Sequence, residues 1–118
     1  MYQTITTGRP SERRLNPRFH APISIPCRVA LRDGVLIDLS TQGARVRHSG
    51  ALKLNSEILF SFFCLGHRFA AMAHVESCAV AFLGNAETGA TMFESRVVFN
   101  DLTHDAQELI ERFLASVE

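Results

Sequence analysis

The sequence predicts a mainly β domain, with five or six antiparallel strands forming a small barrel closed by one C-terminal α-helix. Three observations carry this prediction. Apolar runs with two-residue alternation recur between residues 24 and 99, punctuated by turn signals such as Asp33-Gly34 and Gly66-His67. The last stretch alone has a clear helical period. The chain has 118 residues, 47% of them hydrophobic, which is enough for one domain with its own core.

Residues 1–11 are rich in Thr, Gly, Pro and Ser and read as a flexible N-terminal arm, with the barrel domain occupying residues 12–118. The first strand spans residues 24–32, where Ile25, Cys27, Val29 and Leu31 alternate with Pro26, Arg28, Ala30 and Arg32. Pro26 belongs near the strand start or on an edge. Asp33-Gly34 signals a tight hairpin of type I′. The chain then returns through residues 35–40, with Ile37 and Leu39 directed to the core and Asp38 and Ser40 to the other face.

A third strand over residues 43–48 turns Ala44 and Val46 inward and Arg45 and Arg47 outward. A loop leads to a strand at 57–65 rich in phenylalanine. The run 68–83 reads as a long strand that is bent or interrupted, and the last strand spans 91–99, with Phe93, Val97 and Phe99 on one face. Leu59, Phe63 and Leu65 fall on the face opposite Phe60 and Phe62, to be covered by the helix or to form a partner surface. Thr103 is an N-cap and Asp105 suits the first turn of a helix at about 103–117. Its apolar positions Ala106, Leu109, Ile110, Phe113, Leu114 and Val117 follow the i, i+3, i+4, i+7 rule, while Glu108 and Glu111 mark the solvated side.

No apolar run approaches the length of a membrane span, and the N-terminus lacks the apolar core of a secretory signal. Cys27, Cys64 and Cys78 are odd in number and lack C-x-x-C spacing, so they read as small core hydrophobes of a cytoplasmic protein. Net charge is zero, yet the two parts of the chain differ. Residues 1–50 hold eight arginines against three acids, and residues 51–118 hold four basic residues against nine acids. Eleven of the twelve basic residues are arginine. A nucleic-acid surface normally carries a larger basic excess, so a local anion site in a neutral protein fits better, with no DNA or RNA partner expected.

Two motifs give that site its chemistry. Arg14 and Arg18 are four apart, preceded by Arg13, and twenty residues after Arg18 comes Asp38-Leu39-Ser40-Thr41-Gln42-Gly43, a D-x-S-x-x-G hexapeptide. Arginine is a planar fork of donors that grips phosphate oxygens or the O6/N7 edge of guanine. Pro17 argues against a helix here, leaving two arginines in an extended segment able to hold two points of one small anion. In the hexapeptide, a carboxylate accepts from guanine N–H groups, a serine hydroxyl donates to phosphate, and glycine permits a sharp turn or close approach. The same residues would also make an ordinary Asx/ST turn beside a basic tail. The pair of motifs at this spacing favours the nucleotide site.

The motif pair resembles the PilZ domain family, bacterial receptor modules for cyclic di-GMP, from about residue 12 to residue 117. The resemblance implies a six-stranded antiparallel barrel with a C-terminal helix, in agreement with the reading above. It also implies a single-domain, stand-alone receptor that is not an enzyme. The ligand would be cyclic di-GMP, held by Arg14 and Arg18 on one side and by Asp38, Ser40 and Gly43 on the other. Arg13 is the kind of residue that accompanies two stacked ligand molecules in this family. No cofactor, metal or membrane insertion is implied, and an unidentified effector protein would receive the signal. The sequence departs from many relatives in lacking tryptophan.

Three rivals compete with this reading. They are a PilZ-like interaction module that binds no nucleotide, a small nucleic-acid-binding barrel, and an enzyme. Cys64, His67, His74 and Cys78 lack the paired spacing of a zinc site. Ser40 with His48 or His74 has no nucleophile elbow around it. Whether Arg45 and Arg47 reach the ligand depends on how far strand twist carries them.

Overall fold

The computed structural model describes residues 19–85 and 89–117, so Arg13, Arg14 and Arg18 lie outside the described residues, as does the arm at 1–11. Six strands and one helix follow in order: β1 (Phe19–Val29), β2 (Arg32–Leu39), β3 (Gly43–Ser49), β4 (Glu57–Cys64), β5 (His67–Phe82), β6 (Met92–Phe99) and α1 (His104–Ser116). Every neighbouring pair is antiparallel, and the sheet closes on itself in the order β1-β2-β3-β6-β5-β4. The fold is thus the six-stranded antiparallel barrel with a C-terminal helix that the sequence predicts. No helix among the described residues is long and apolar enough to cross a membrane.

Among the described residues, closure joins β1 to β4 through Arg28↔Ser61 and Val29↔Phe60, helped by the Ala30 N–H donating to the Leu59 carbonyl at 3.0 Å. Alternating side chains fill the interior: Cys27, Val29, Val46, Phe60, Phe62, Phe69, Ala73, Val75 and Val97 are all buried. Phe60, Phe62, Phe69 and Phe99 form an aromatic cluster, and Phe113 of α1 packs edge-on to Phe62 with centroids 5.6 Å apart. The helix thereby lays Ala106, Leu109, Ile110 and Leu114 on the barrel. Leu59, Phe63 and Leu65 remain exposed, so the helix does not cover them. Thr103 caps α1 as expected, its hydroxyl accepting from the Ala106 N–H at 3.1 Å. Val117 falls beyond the helix and is exposed, which shortens the apolar face by one position.

The first hairpin turns at a different place from the one predicted. Ala30 and Leu31, with φ of 51° and 64°, form the two-residue loop between the paired Val29 and Arg32. Both central residues have the positive φ that a type I′ turn requires, although neither is glycine or asparagine. Such residues cost roughly 1–2 kcal/mol each in that region. Tertiary contacts hold the register against this cost. Arg28 and Asp33 pair across the strands at 2.7 Å, and Arg32 donates to the carbonyls of Gly50 and Ala51 at 2.8 Å each. Gly34 sits inside the strand, where a Cβ would lie 3.0 Å from the Arg47 carbonyl oxygen, a tight fit. The second hairpin turns at Leu65-Gly66, one residue earlier than expected, again with φ positive at both.

Burial accounts for the cysteines. Cys27 and Cys64 are buried, and desolvation pushes the Cys27 thiol up to about 12. Burial also raises Cys64, with the Arg112 charge pulling weakly the other way.

Candidate functional site

The second motif ends one strand, makes a turn and starts the next. β2 pairs with β3 regularly through Leu36↔Val46, then shifts register so that Asp38 lies opposite Arg45. Ile37 is therefore an extra residue, a β-bulge, and it breaks the two-residue alternation. The consequence corrects the expected facing of Ile37. Leu36 and Leu39 are the core residues, Ile37 is half-buried, and Asp38 is buried at 3% exposure instead of lying on an open face. Burying a carboxylate demands a partner. The Arg45 guanidinium supplies one, 3.6 Å from the Asp38 carboxylate.

Ser40 closes the turn locally. Its hydroxyl accepts from the Gln42 N–H at 3.1 Å, and its own N–H donates to the Gly43 carbonyl at 2.9 Å. This is the ST turn anticipated as the plainer reading of the motif, and Ser40 is 8% exposed. Gly43 opens β3 opposite Val98 of β6. A Cβ on Gly43 would lie 2.2 Å from the Val97 carbonyl oxygen, so the glycine is required by strand-to-strand approach. The hexapeptide is thus first a folded corner, pinned further by the Phe99 N–H donating to the Gln42 carbonyl at 2.8 Å.

An open cleft of about 270 Å³ lies beside this corner. Asp38, Ser40, Gln42, Gly43, Glu76 and Arg96 line it, together with Ala44, Val97 and Val98. The structure therefore brings Asp38, Ser40 and Gly43 together. It adds Gln42, Glu76 and Arg96, which the sequence reading did not identify. Arg96 sits opposite Arg45 across β3 and β6 and points toward Glu76, with Nε 4.0 Å from the carboxylate. A paired arginine and acid on separate strands leave no local sequence signal, because their proximity depends on the β5–β6 register.

Arg45 and Arg47 do not line the cleft. Arg47 is drawn to Glu94 at 3.1 Å and stands over the Phe82 ring at 6.0 Å, while Arg45 divides between Asp38 and Glu94, the latter at 3.7 Å. Acids thus alternate with arginines across the outer face, offsetting the repulsion of the facing Arg45 and Arg96. The histidines considered with Ser40 are engaged elsewhere. His48 is fully buried, with Nε2 2.7 Å from the Ser95 hydroxyl and Nδ1 3.0 Å from the Gly50 carbonyl. His74 bridges Glu57 at 2.7 Å and Asn55 at 3.2 Å. Neither is bonded to the Ser40 hydroxyl, which accepts from its own turn.

With this geometry in view, comparisons with known proteins converge. The family model described as "PilZ domain" matches residues 9–116. Among solved structures, the PilZ domain of YcgR from Escherichia coli with c-di-GMP superposes with a TM-score of 0.69 at 18% identity, covering 89% of this chain and 91% of that one. MrkH, described as a c-di-GMP-dependent transcription regulatory factor, aligns with a TM-score of 0.68 at 19% identity, covering 89% of this chain and 51% of its own. The K. pneumonia MrkH–c-di-GMP complex gives a TM-score of 0.68 at 16% identity, covering 91% and 53%. This chain therefore spans about half the length of MrkH. No curated protein matches it.

Proposed function

The chain belongs to the PilZ family, and on that footing we propose that it is a receptor for cyclic di-GMP that orders its N-terminal arm on binding and signals through a partner protein. The observation that carries the reading is the register of β1 on β2. β1 begins with Phe19 opposite Leu39 and His20 opposite Asp38, so the chain enters the barrel directly beside the Asp38–Gly43 corner. Arg18 is bonded to Phe19, which keeps its Cα within about 3.8 Å of that residue. Arg14 is four residues further along, within a reach of roughly 14 Å. The arginines and the cleft can therefore meet over one dinucleotide.

In this reading Arg14 and Arg18 grip phosphate and the guanine O6/N7 edge, and Arg13 adds a further donor fork. The corner of Asp38, Ser40 and Gly43 shapes the opposite wall. Asp38 also holds Arg45, whose guanidinium lies 3.6 Å from its buried carboxylate. The YcgR domain and MrkH were both solved with c-di-GMP, which supports the ligand assignment. Ordering the arm costs about 1–2 kcal/mol per residue, so a few charged contacts fix only the few residues nearest the barrel. The ordered arm then presents a new surface to an effector protein. The protein acts as a receptor and catalyses nothing.

Calorimetric titration with cyclic di-GMP tests this, with Arg14→Ala and Arg18→Ala beside the wild type. Binding that both variants lose, with hydrogen exchange in residues 1–18 slowed at saturation, is the expected result. Stoichiometry then reads one ligand or two.

A second reading, an interaction module that binds no nucleotide, has one observation in its favour. The outer face of the β4–β5 hairpin exposes Phe63 at 73%, together with Leu59, Leu65 and Met72, of which Leu59 and Met72 are directly paired. An absence of heat with the wild type selects this reading.

A further inference from the structure

The cleft contains a carboxylate and a guanidinium that the family motifs do not include, and the backbone is distorted to place them. Val75 pairs with Val97 and Ser77 with Arg96, so β5 uses two steps where β6 uses one. Glu76 is the extra residue of a β-bulge. Bulges re-aim a side chain and recur next to functional sites. Here the bulge sets Glu76 in the wall of the cleft, across from Asp38 and Ser40.

The two acids of the cleft differ in availability. Asp38 is 3% exposed and engaged with Arg45. The Glu76 side chain is 57% exposed, and its oxygen is 4.0 Å from Arg96 Nε, longer than a hydrogen bond. An exposed pair of this kind contributes little to stability and exchanges readily for better-placed partners. Together the two groups offer a flat carboxylate and a flat guanidinium side by side. Guanine presents the complement in one plane, with N1–H and a 2-amino group as adjacent donors and O6 and N7 as adjacent acceptors.

Resting on the cyclic di-GMP reading above, we infer that Glu76 and Arg96 read a guanine base of the ligand. Glu76 accepts from N1–H and the 2-amino group, and Arg96 donates to O6 and N7. Asp38, beside Arg45, keeps the corner of the cleft in place. The arm arginines hold phosphate and the other guanine of the ligand, while this pair on the barrel wall reads its own guanine.

Titrations of the full chain with cyclic di-GMP, cyclic di-IMP (which lacks the 2-amino group) and cyclic di-AMP test the assignment. The wild type is expected to prefer cyclic di-GMP over cyclic di-IMP by about tenfold. Glu76→Gln should weaken cyclic di-GMP by about tenfold and nearly erase that preference. Arg96→Ala should weaken the guanine and hypoxanthine ligands alike, since both keep O6 and N7, and narrow their advantage over cyclic di-AMP. The doubly exchanged Glu76→Arg, Arg96→Glu chain restores an ion pair but not the base reading, so it should remain unselective with an unchanged thermal midpoint. Cyclic di-GMP affinity within about twofold of wild type in both single variants, with the ligand ranking intact, overturns the inference alone. Loss of affinity in Glu76→Gln that is equal for all three ligands also overturns it. A wild type that binds none of them overturns the receptor reading and this inference together.

Discussion

Around Phe60, five aromatic rings pack at centroid separations of 5.3–6.3 Å. Beside the Asp38–Gly43 corner, charges stand 3.6 and 4.0 Å apart, and two strands each carry one residue too many. The first region is held by apolar area, which is non-directional and tolerant of small shifts. The second depends on direction, because a carboxylate or guanidinium is useful only when aimed. Regular alternation suffices to build the aromatic region. The cleft required the alternation to be broken, at Ile37 in β2 and at Glu76 in β5. On the proposed reading, stability and selectivity fall to different parts of one small barrel, and each part can be perturbed separately.

The largest effect should come from the aromatic side. Phe60→Ala removes a fully buried ring from the centre of the cluster and should cost about 3–5 kcal/mol in urea unfolding. Whatever fraction remains folded should keep the wild-type ranking of dinucleotides. A changed ranking would mean that the two regions are not separable.

Gly43→Ala probes the cleft as a piece of backbone. The added methyl meets the Val97 carbonyl oxygen, so β3 and β6 must part, at a cost of about 1–3 kcal/mol. Thermal unfolding and titration should both register the change. Unaltered stability with lost binding would instead assign the glycine to ligand approach.

Alkaline titration separates the regions by pH. The Cys27 thiol is raised from 9.0 to about 12 by burial, so the folded state retains a proton that the unfolded chain releases. Its contribution is complete below pH 9 and declines as pH rises toward 12, by up to about tenfold in the folding equilibrium per pH unit. Cys27→Val should flatten that decline in pH-dependent unfolding without altering ligand ranking.

Thr103→Ala removes the hydroxyl that caps α1 and should cost about 1 kcal/mol, read as a lowered thermal midpoint. The smallest effect is expected at Glu57. Hydrogen bonds from His74 and Asn100 hold its carboxyl below the usual 4.5. The stability this lends is present above about pH 4.5 and fades as pH falls below it. Glu57→Gln should remove that acid-side slope in unfolding curves and leave the cleft untouched.

The helix, the alternation of β3 and the phenylalanine strands were legible because each expresses a local period: Leu109, Ile110 and Leu114 on one helical face, Ala44 and Val46 on one strand face. The D-x-S-x-x-G corner was legible as a motif, and the structure does gather Asp38, Ser40 and Gly43. Their individual roles were not. Asp38 looked like an open acceptor and proved buried beside Arg45, while the bulge moved Ile37 out of its expected place in the core. Glu76 and Arg96 carried no signal in the sequence, because their place in the cleft depends on the β5–β6 register.

By itself, then, the sequence determined the fold class, the capped helix and the turn of the Asp38–Gly43 motif, since propensity, period and motif spacing act between residues close in the chain. Only the tertiary structure decided where the first hairpin turns, why Gly43 must be glycine, and which charges line the cleft. Those outcomes depend on register between strands distant in sequence, where one inserted residue redirects every side chain after it.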